Sequence, residues 1–258
     1  MQDTDLSSLH GRRILVTGAS SGLGAHFARV LARSGARIAI AARRLDRLEQ
    51  LVKEIREEGG EAEAFTLDVG DIDAIARCVA GVEARLGGID VLVNNSGVSA
   101  THRLEDVTPA AFDAVFSTNL RGAFFMAQAV ARGMVARASE QPGSRAIVNV
   151  ASAAGLRPLP QIGPYSASKA ALVHLTRSMA LEWGRHGINA NALCPGYIRT
   201  ELNEAHWDDD AGRKLLKRLP RQRLGDLQHL DGSLLLLCGP HAGFINGAVF
   251  AIDDGLTA

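Results

Sequence analysis

The chain has 258 residues, 28 Lys and Arg against 28 Asp and Glu, and no formal net charge. That balance lacks the basic footprint of a nucleic-acid binder and gives no general attraction to an anionic membrane surface. With 47% hydrophobic residues and 27 glycines, the composition excludes a disordered chain and suits one large α/β domain over residues 1–258.

The N-terminus, MQDTDLSSLHGRR, has no apolar stretch of the signal-peptide kind. No apolar run approaches the ~20 residues that span a bilayer. Cys78, Cys194 and Cys238 are scattered, without a CxxC pair, which points to a reduced, cytoplasmic setting. The histidines have no zinc-ligand spacing, so no metal is expected.

Short apolar runs alternate with longer helical patterns. The runs are Ile14–Val16, Ile38–Ala42, Ala64–Leu67, Ile89–Val93, Ala146–Val150, Ile188–Leu193 and Ala248–Ile252. They are apolar throughout, as in strands buried on both faces of a parallel sheet. Between them the pattern predicts helices over Gly22–Ser34, Leu45–Glu58, Ile72–Leu86, Pro109–Arg137, Pro164–Arg185 and Leu227–Cys238. The order predicts a three-layer, Rossmann-type, doubly wound α/β fold with a seven-stranded parallel sheet. Two segments break the alternation: the polar loop Ala138–Arg145 and the long connection Tyr197–Arg223. The second leaves the carboxyl end of a strand, where such folds bind ligands, and is a candidate substrate lid.

The first strand runs into TGASSGLG, with Gly18, Gly22 and Gly24 ahead of a helix. Such a turn needs a residue tolerant of positive φ and a close backbone approach. The helix end behind it offers free N–H groups to a pyrophosphate. Small residues at Ala19, Ser20 and Ser21 keep the approach open, and Leu23 completes the turn.

The spacing resembles the TGxxxGxG motif of the short-chain dehydrogenase/reductase family. The family's other marks follow in order: Asn94-Asn95-Ser96-Gly97, Asn119, Ser152, Tyr165-Ser-Ala-Ser-Lys169 and Pro195-Gly196. The resemblance covers essentially the whole chain and implies a nicotinamide-dependent oxidoreductase. It departs in two places. Ser96 stands where the family usually has alanine, and Asp253-Asp254-Gly255 stands for the common Asp-Gly-Gly.

The second strand ends at Ala42, where an acidic residue would hold a ribose and repel a 2′-phosphate. Arg43 and Arg44 follow and can bind that phosphate, Arg43 the better placed. Plain solvated charge is the alternative reading. NADP(H) is the expected cofactor, with NAD(H) second. Asp68-Val69 resembles the family's adenine-contacting position, though a helix cap near Gly70-Asp71 reads nearly as well.

Hydride transfer to a ketone makes an alkoxide that needs a proton. A tyrosine near pKa ~10 is a usable acid, and a nearby cation lowers that pKa. Tyr165 and Lys169 share a helix face at i and i+4. Pro164 suits the first turn. Ser152 ends a buried strand, where its hydroxyl can meet the carbonyl oxygen. Asn119 is an amide within apolar sequence, which suggests a polar duty.

The resemblance implies Tyr165 as acid/base, Ser152 orienting the carbonyl, Lys169 also on the nicotinamide ribose, and Asn119 supporting a water chain to Lys169. It implies that Asn95, Ser96 and Gly97 pass the cofactor. Pro195, Gly196, Ile198 and Thr200 would meet the nicotinamide. It also implies a homo-oligomer, tetramer or dimer, built on the two long helices.

Six basic residues lie between 213 and 223. They admit an acyl-thioester substrate on a carrier, but i,i+4 pairs of Asp209 with Arg213 and Asp210 with Lys214 read better as a solvated face. A non-catalytic nucleotide sensor is the alternative from another class, and an intact catalytic set argues against it. Trp207, Leu202 and His102 are expected in ordinary packing.

Overall fold

β-Branched and small apolar runs too short for helices become strands: β1 Arg13–Thr17, β2 Arg37–Ala42, β3 Glu61–Thr66, β4 Val91–Asn94, β5 Arg145–Val150, β6 Ile188–Pro195 and β7 Val249–Ile252. The computed structural model describes residues 8–139, 143–201, 204–207 and 209–258. The strands form one parallel sheet in the order β3-β2-β1-β4-β5-β6-β7. β1, β2, β4 and β5 are almost wholly buried, because helices cover both faces. β3 begins earlier than its apolar core predicts. It is an edge strand, and Glu61 and Glu63 point outward along its first turn of pleat.

Helices α1 Gly22–Arg33, α2 Leu45–Glu57 and α3 Ile72–Leu86 follow the first three strands. Two apolar layers flank the sheet. Phe27 and Leu31 of α1 and Leu48 and Ile55 of α2 fill one. Val79 and Val82 of α3 and Met126, Val130 and Met134 fill the other.

The single helix expected over Pro109–Arg137 is interrupted. α4 Pro109–Phe116 and α5 Ala123–Ala136 are joined by a π-helical turn, Ser117–Gly122. Asn119 lies in that turn, fully buried. A widened turn is a known accommodation at functional sites, and here it lets an amide enter the interior. α6 Gly163–Trp183 ends in a short 3₁₀ turn, Gly184–His186. The described part of the long connection holds short helices α7 Glu204–Trp207 and α8 Asp210–Leu216. The last helix splits into a 3₁₀ turn, Leu227–Leu230, and α9 Asp231–Cys238. Leu202 and part of the Ala138–Arg145 loop lie outside the described residues, as does the start of the N-terminus.

The chain reverses its winding between β1 and β4, so the turns after these strands meet at the sheet's carboxyl edge. Ligands bind at that topological switch point in open α/β sheets. A polar chain crosses the interior below it. Asn94 Nδ2 donates to the Ala123 carbonyl (2.7 Å) and to Asn149 Oδ1 (3.1 Å). Asn149 Nδ2 donates to Thr176 Oγ1 (2.9 Å), which donates to the Leu172 carbonyl (2.7 Å). All three side chains are buried. The chain therefore ties β4 and β5 to α6, whose inward stripe also carries Lys169.

Asn149→Ala removes the middle of this chain and leaves a small void. It is expected to cost about 2–4 kcal/mol, from unsatisfied buried groups and lost packing. Urea denaturation measures this as a lower midpoint.

Candidate active site

A cleft of about 720 Å³ opens over the carboxyl ends of β1, β2, β4, β5 and β6. At its centre is the turn after β1. Gly18 has φ 67°, and a Cβ there would stand 2.9 Å from Ser96 Cα. A Cβ on Gly24 would collide with the Gly18 carbonyl. The first glycine thus lets the β1 and β4 turns touch, and the second lets α1 pack against its own turn. Thr17 Oγ1 accepts from the amides of Asn95 (3.0 Å) and Ser96 (3.1 Å), and Asn95 Nδ2 donates to the Thr17 carbonyl (3.0 Å). Thr17 has no place among the residues singled out from sequence, yet it locks the two turns together. Its position at the end of β1, ahead of the glycine, was the available signal.

One end of the cleft carries Ala42, Arg43 and Arg44. Arg44 lies back across the glycine turn, its Nη2 2.9 Å from both Ser20 Oγ and Ser21 Oγ. Arg43 is exposed and makes no hydrogen bond or ion pair among the described residues. Asp68 and Val69 line the same end. The capping question at Asp68 divides between two residues. Asp71 caps α3, accepting from the Asp73 and Ala74 amides, while Asp68 Oδ1 accepts only from Gly70 N (2.9 Å).

The other end is formed by Ser152, Tyr165 and Lys169, with Gly97, Pro195, Gly196, Ile198 and Thr200 around them. Ser152, two residues past β5, caps the short turn Ala153–Gly155, accepting from Ala154 N at 3.1 Å. Its side chain also acts on the Tyr165 hydroxyl, in the direction that lowers that group's pKa. Lys169 is 3% exposed and its Nζ donates to the Val150 carbonyl at 2.7 Å. That nitrogen lies 5.8 Å from the centroid of the Tyr165 ring.

The electrostatics differ from the expectation of a tyrosine whose pKa is lowered by its cation. Burial pushes the Tyr165 hydroxyl up, and Ser152 only partly offsets it. Burial also pulls Lys169 down from the usual 10.5 to about 8. Desolvation outweighs attraction for this fully sunk ammonium, whose hydrogen bond is to the Val150 carbonyl. Tyr165 is thus held as a neutral acid. The thiol of Cys194, beneath them, is raised by burial to about 11 and stays uncharged at neutral pH.

The cleft is lined by every residue expected from sequence to act in catalysis or to hold the cofactor, except Asn119. That residue stands behind the wall. Its Oδ1 accepts from Val98 N (2.8 Å), and its Nδ2 donates to the Val98 carbonyl (2.9 Å) and to Ser168 Oγ (3.1 Å). Ser168 Oγ in turn donates to the Tyr165 carbonyl (2.7 Å). Val98, Ser99, Thr118 and Tyr197 line the cleft without a sequence signal of their own. Trp207 packs edge-on against Tyr197, with ring centroids 5.3 Å apart, and is not a lining residue; His102 is exposed. Among the described residues no group of three or more His, Cys, Asp or Glu side chains could hold a metal, and no helix is long and apolar enough to cross a membrane.

The family profile for short chain dehydrogenase matches residues 12–211. Gluconate 5-dehydrogenase of Gluconobacter oxydans (strain 621H) is 40% identical over 100% of this chain and 99% of its own length. Sorbitol dehydrogenase of Cereibacter sphaeroides is 38% identical over 96% of this chain and 98% of its own. Among solved structures, gluconate 5-dehydrogenase from Burkholderia cenocepacia J2315, in complex with NADP and tartrate, superposes with a TM-score of 0.92. It is 39% identical, with 98% of each chain covered. The protein therefore belongs to the short-chain dehydrogenase family, as an NAD(P)-dependent oxidoreductase that interconverts a ketone and an alcohol.

Proposed function

We propose that this chain uses NADP(H) in preference to NAD(H) to interconvert a ketone and a secondary alcohol, with Tyr165 as acid/base. The observation that carries the reading is that Ser152, Tyr165 and the buried Lys169 line one cleft together, the same cleft that ends at Arg43 and Arg44.

The residues present fit a dinucleotide. Backbone N–H groups at the start of α1 and the hydroxyls of Ser20 and Ser21 suit a pyrophosphate. Ala42 offers no charge to repel a 2′-phosphate, and Arg43 has a guanidinium to give it. The Arg44–serine contacts favour a phosphate at the same spot, since an anion replaces hydroxyls readily on a guanidinium. Asp68 and Val69 would face the adenine. Asn95, Ser96, Gly97, Pro195, Gly196, Ile198 and Thr200 would border the nicotinamide end, and Lys169 would donate to its ribose. When bound, the nicotinamide supplies or takes the hydride at the substrate carbon.

The rest falls to side chains. Ser152 donates to the carbonyl oxygen and holds it toward Tyr165. Tyr165 donates its proton to that oxygen as it becomes an alkoxide. Lys169, charged below about pH 8, stabilises the tyrosinate left behind. Asn119 keeps the Val98 wall in place and, through Ser168, the backbone of Tyr165. In the oxidative direction the same groups run in reverse.

The relatives named above act on gluconate and sorbitol, both linear polyhydroxylated chains. We extend that class to this chain, because hydroxyl-bearing Ser99, Tyr197 and Thr200 lie with Ser152 around the substrate end. Nothing favours a carrier-bound thioester. Of the basic residues at 213–223, Arg213 pairs with Asp210 (2.6 Å), while Arg221 and Arg223 pair with Asp254. Asp209 also caps α8 by accepting from Gly212 N.

A homo-oligomer is also proposed. The outer faces of α4, the π turn, α5 and α6 leave an apolar hollow among Phe116, Leu120, Phe124 and Leu175.

Two variants test the reading. Tyr165→Phe is expected to bind NADPH with nearly unchanged affinity while carbonyl reduction falls about 10²–10⁴-fold; turnover close to the parent's contradicts the acid/base role. Arg43→Ala is expected to weaken NADPH roughly 10–100-fold, the loss of a charge-assisted hydrogen bond. NADH affinity should move less than about threefold. Equal effects on both nucleotides, read by fluorescence titration, contradict the phosphate role.

A further inference from the structure

The C-terminal turn carries two adjacent aspartates with separate tasks. Asp253 folds the turn on itself: Oδ1 accepts from Gly255 N (3.1 Å), and Oδ2 accepts from Thr257 N (3.0 Å) and Thr257 Oγ1 (2.5 Å). Asp254 reaches outward. Its Oδ1 accepts from Arg221 Nη1 (2.8 Å) and Arg223 Nη2 (2.9 Å), and its Oδ2 accepts from Arg223 Nε (2.8 Å). Arg223 is therefore held bidentately, the geometry that fixes orientation as well as distance. Asp254 has φ 56°, in the left-handed region that a glycine would occupy without strain. A charged side chain at a backbone position suited to glycine, joined to two arginines, has a contact to maintain.

Arg221 and Arg223 belong to the return limb, Leu216–Gly225, of the long connection. This limb is bonded to the outgoing limb at its neck: Arg199 N donates to the Gly225 carbonyl (2.8 Å) and Gly225 N to the Tyr197 carbonyl (2.9 Å). Tyr197 and Thr200 of the outgoing limb line the substrate end of the cleft. The C-terminal turn also grips the catalytic floor. Arg157 Nη1 donates to the Leu256 carbonyl (2.9 Å), and Gly196 N donates to the Ile252 carbonyl (2.9 Å). Leu256, Leu219 and Ala153 form one buried apolar cluster, with Tyr197, Leu216 and Leu224 packed against it. Ala153 follows Ser152 directly.

We propose that Asp254 is a positioning residue for the reaction: it latches the return limb to the C-terminal turn and so fixes Tyr197 over the site, setting substrate affinity. The effect on turnover rests on the oxidoreductase reading above, while the latch itself does not. The ion pairs are partly exposed, with side-chain exposures of 64%, 54% and 27% for Arg221, Arg223 and Asp254. Salt therefore weakens the latch.

The test uses the full-length protein and the variants Asp254→Asn and Asp254→Gly. Both side chains suit the left-handed backbone, so the turn keeps its shape. Trypsin is the direct probe, because its cleavage sites at Arg213, Lys214, Lys217, Arg218, Arg221 and Arg223 lie in or beside the limb. Nicking within 213–223 is expected to be at least about fivefold faster in both variants, and KM for a ketone substrate about five- to tenfold higher. NADPH affinity should stay within about twofold. Raising NaCl from about 0.05 to 0.5 M should speed nicking of the parent protein and leave the variants little changed. Nicking within about twofold of the parent in both variants overturns the latch, and faster nicking with unchanged KM overturns its role in positioning. A parent protein with no turnover on any ketone or alcohol fails the oxidoreductase reading instead, and the nicking ratio still decides the latch.

Discussion

The site depends on one buried cation. Lys169 is sunk between β5 and α6 with its ammonium against the Val150 carbonyl, and the cost of burying that charge outweighs what the carbonyl returns. Because an unfolded lysine titrates near 10.5 and this one near 8, the unfolded chain binds more protons between those values. Stability from this group therefore rises with pH across that window and is lowest below it. The fold carries a destabilising charge at neutral pH, as active sites do when a group is tuned for chemistry. The interior chain Asn94–Asn149–Thr176 and the clamp Asn119–Ser168 secure α6 on either side of the lysine and hold the tyrosine's backbone in register.

The architecture around it follows the logic of the switch point. β1 and β4 diverge in winding, and their turns meet through Gly18 and Ser96, locked by Thr17. The serine that departs from the family's usual alanine is accommodated there because its backbone, not its side chain, makes the contact. The glycine turn with Arg43 and Arg44, and the Ser152–Tyr165–Lys169 end, then lie along one cleft.

Most of the fold was legible in the chain because its strands are short, apolar runs bounded by glycine and polar residues, and parallel sheets bury both faces. The cleft was legible because its residues sit at strand ends, where spacing alone places them. What was not legible has common physical causes. The break at Ser117–Gly122 depends on Asn119 reaching Val98, a contact between residues distant in sequence. Arg221 and Arg223 at the end of the basic run pair with Asp254, some thirty residues away, a partner that helical spacing could not supply. The direction of the Tyr165 shift depends on burial, which periodicity reports poorly at a helix start. Arg43 and Arg44 are adjacent in sequence, and only the fold shows that one lies on the serines of the glycine turn while the other is uncommitted.

If a protonated Lys169 beside a neutral Tyr165 drives proton transfer, the pH dependence of kcat/KM for ketone reduction at saturating NADPH follows the lysine's ionisation. Tyr165 keeps its proton to higher pH than a free tyrosine, so the first ionisation met on raising the pH is that of Lys169. The rate is expected to hold from about pH 6 to 7.5 and to fall as the ammonium is lost near pH 8. A profile that stays flat through about pH 9.5, or that rises across pH 8, would show that the lysine's charge does not drive the transfer.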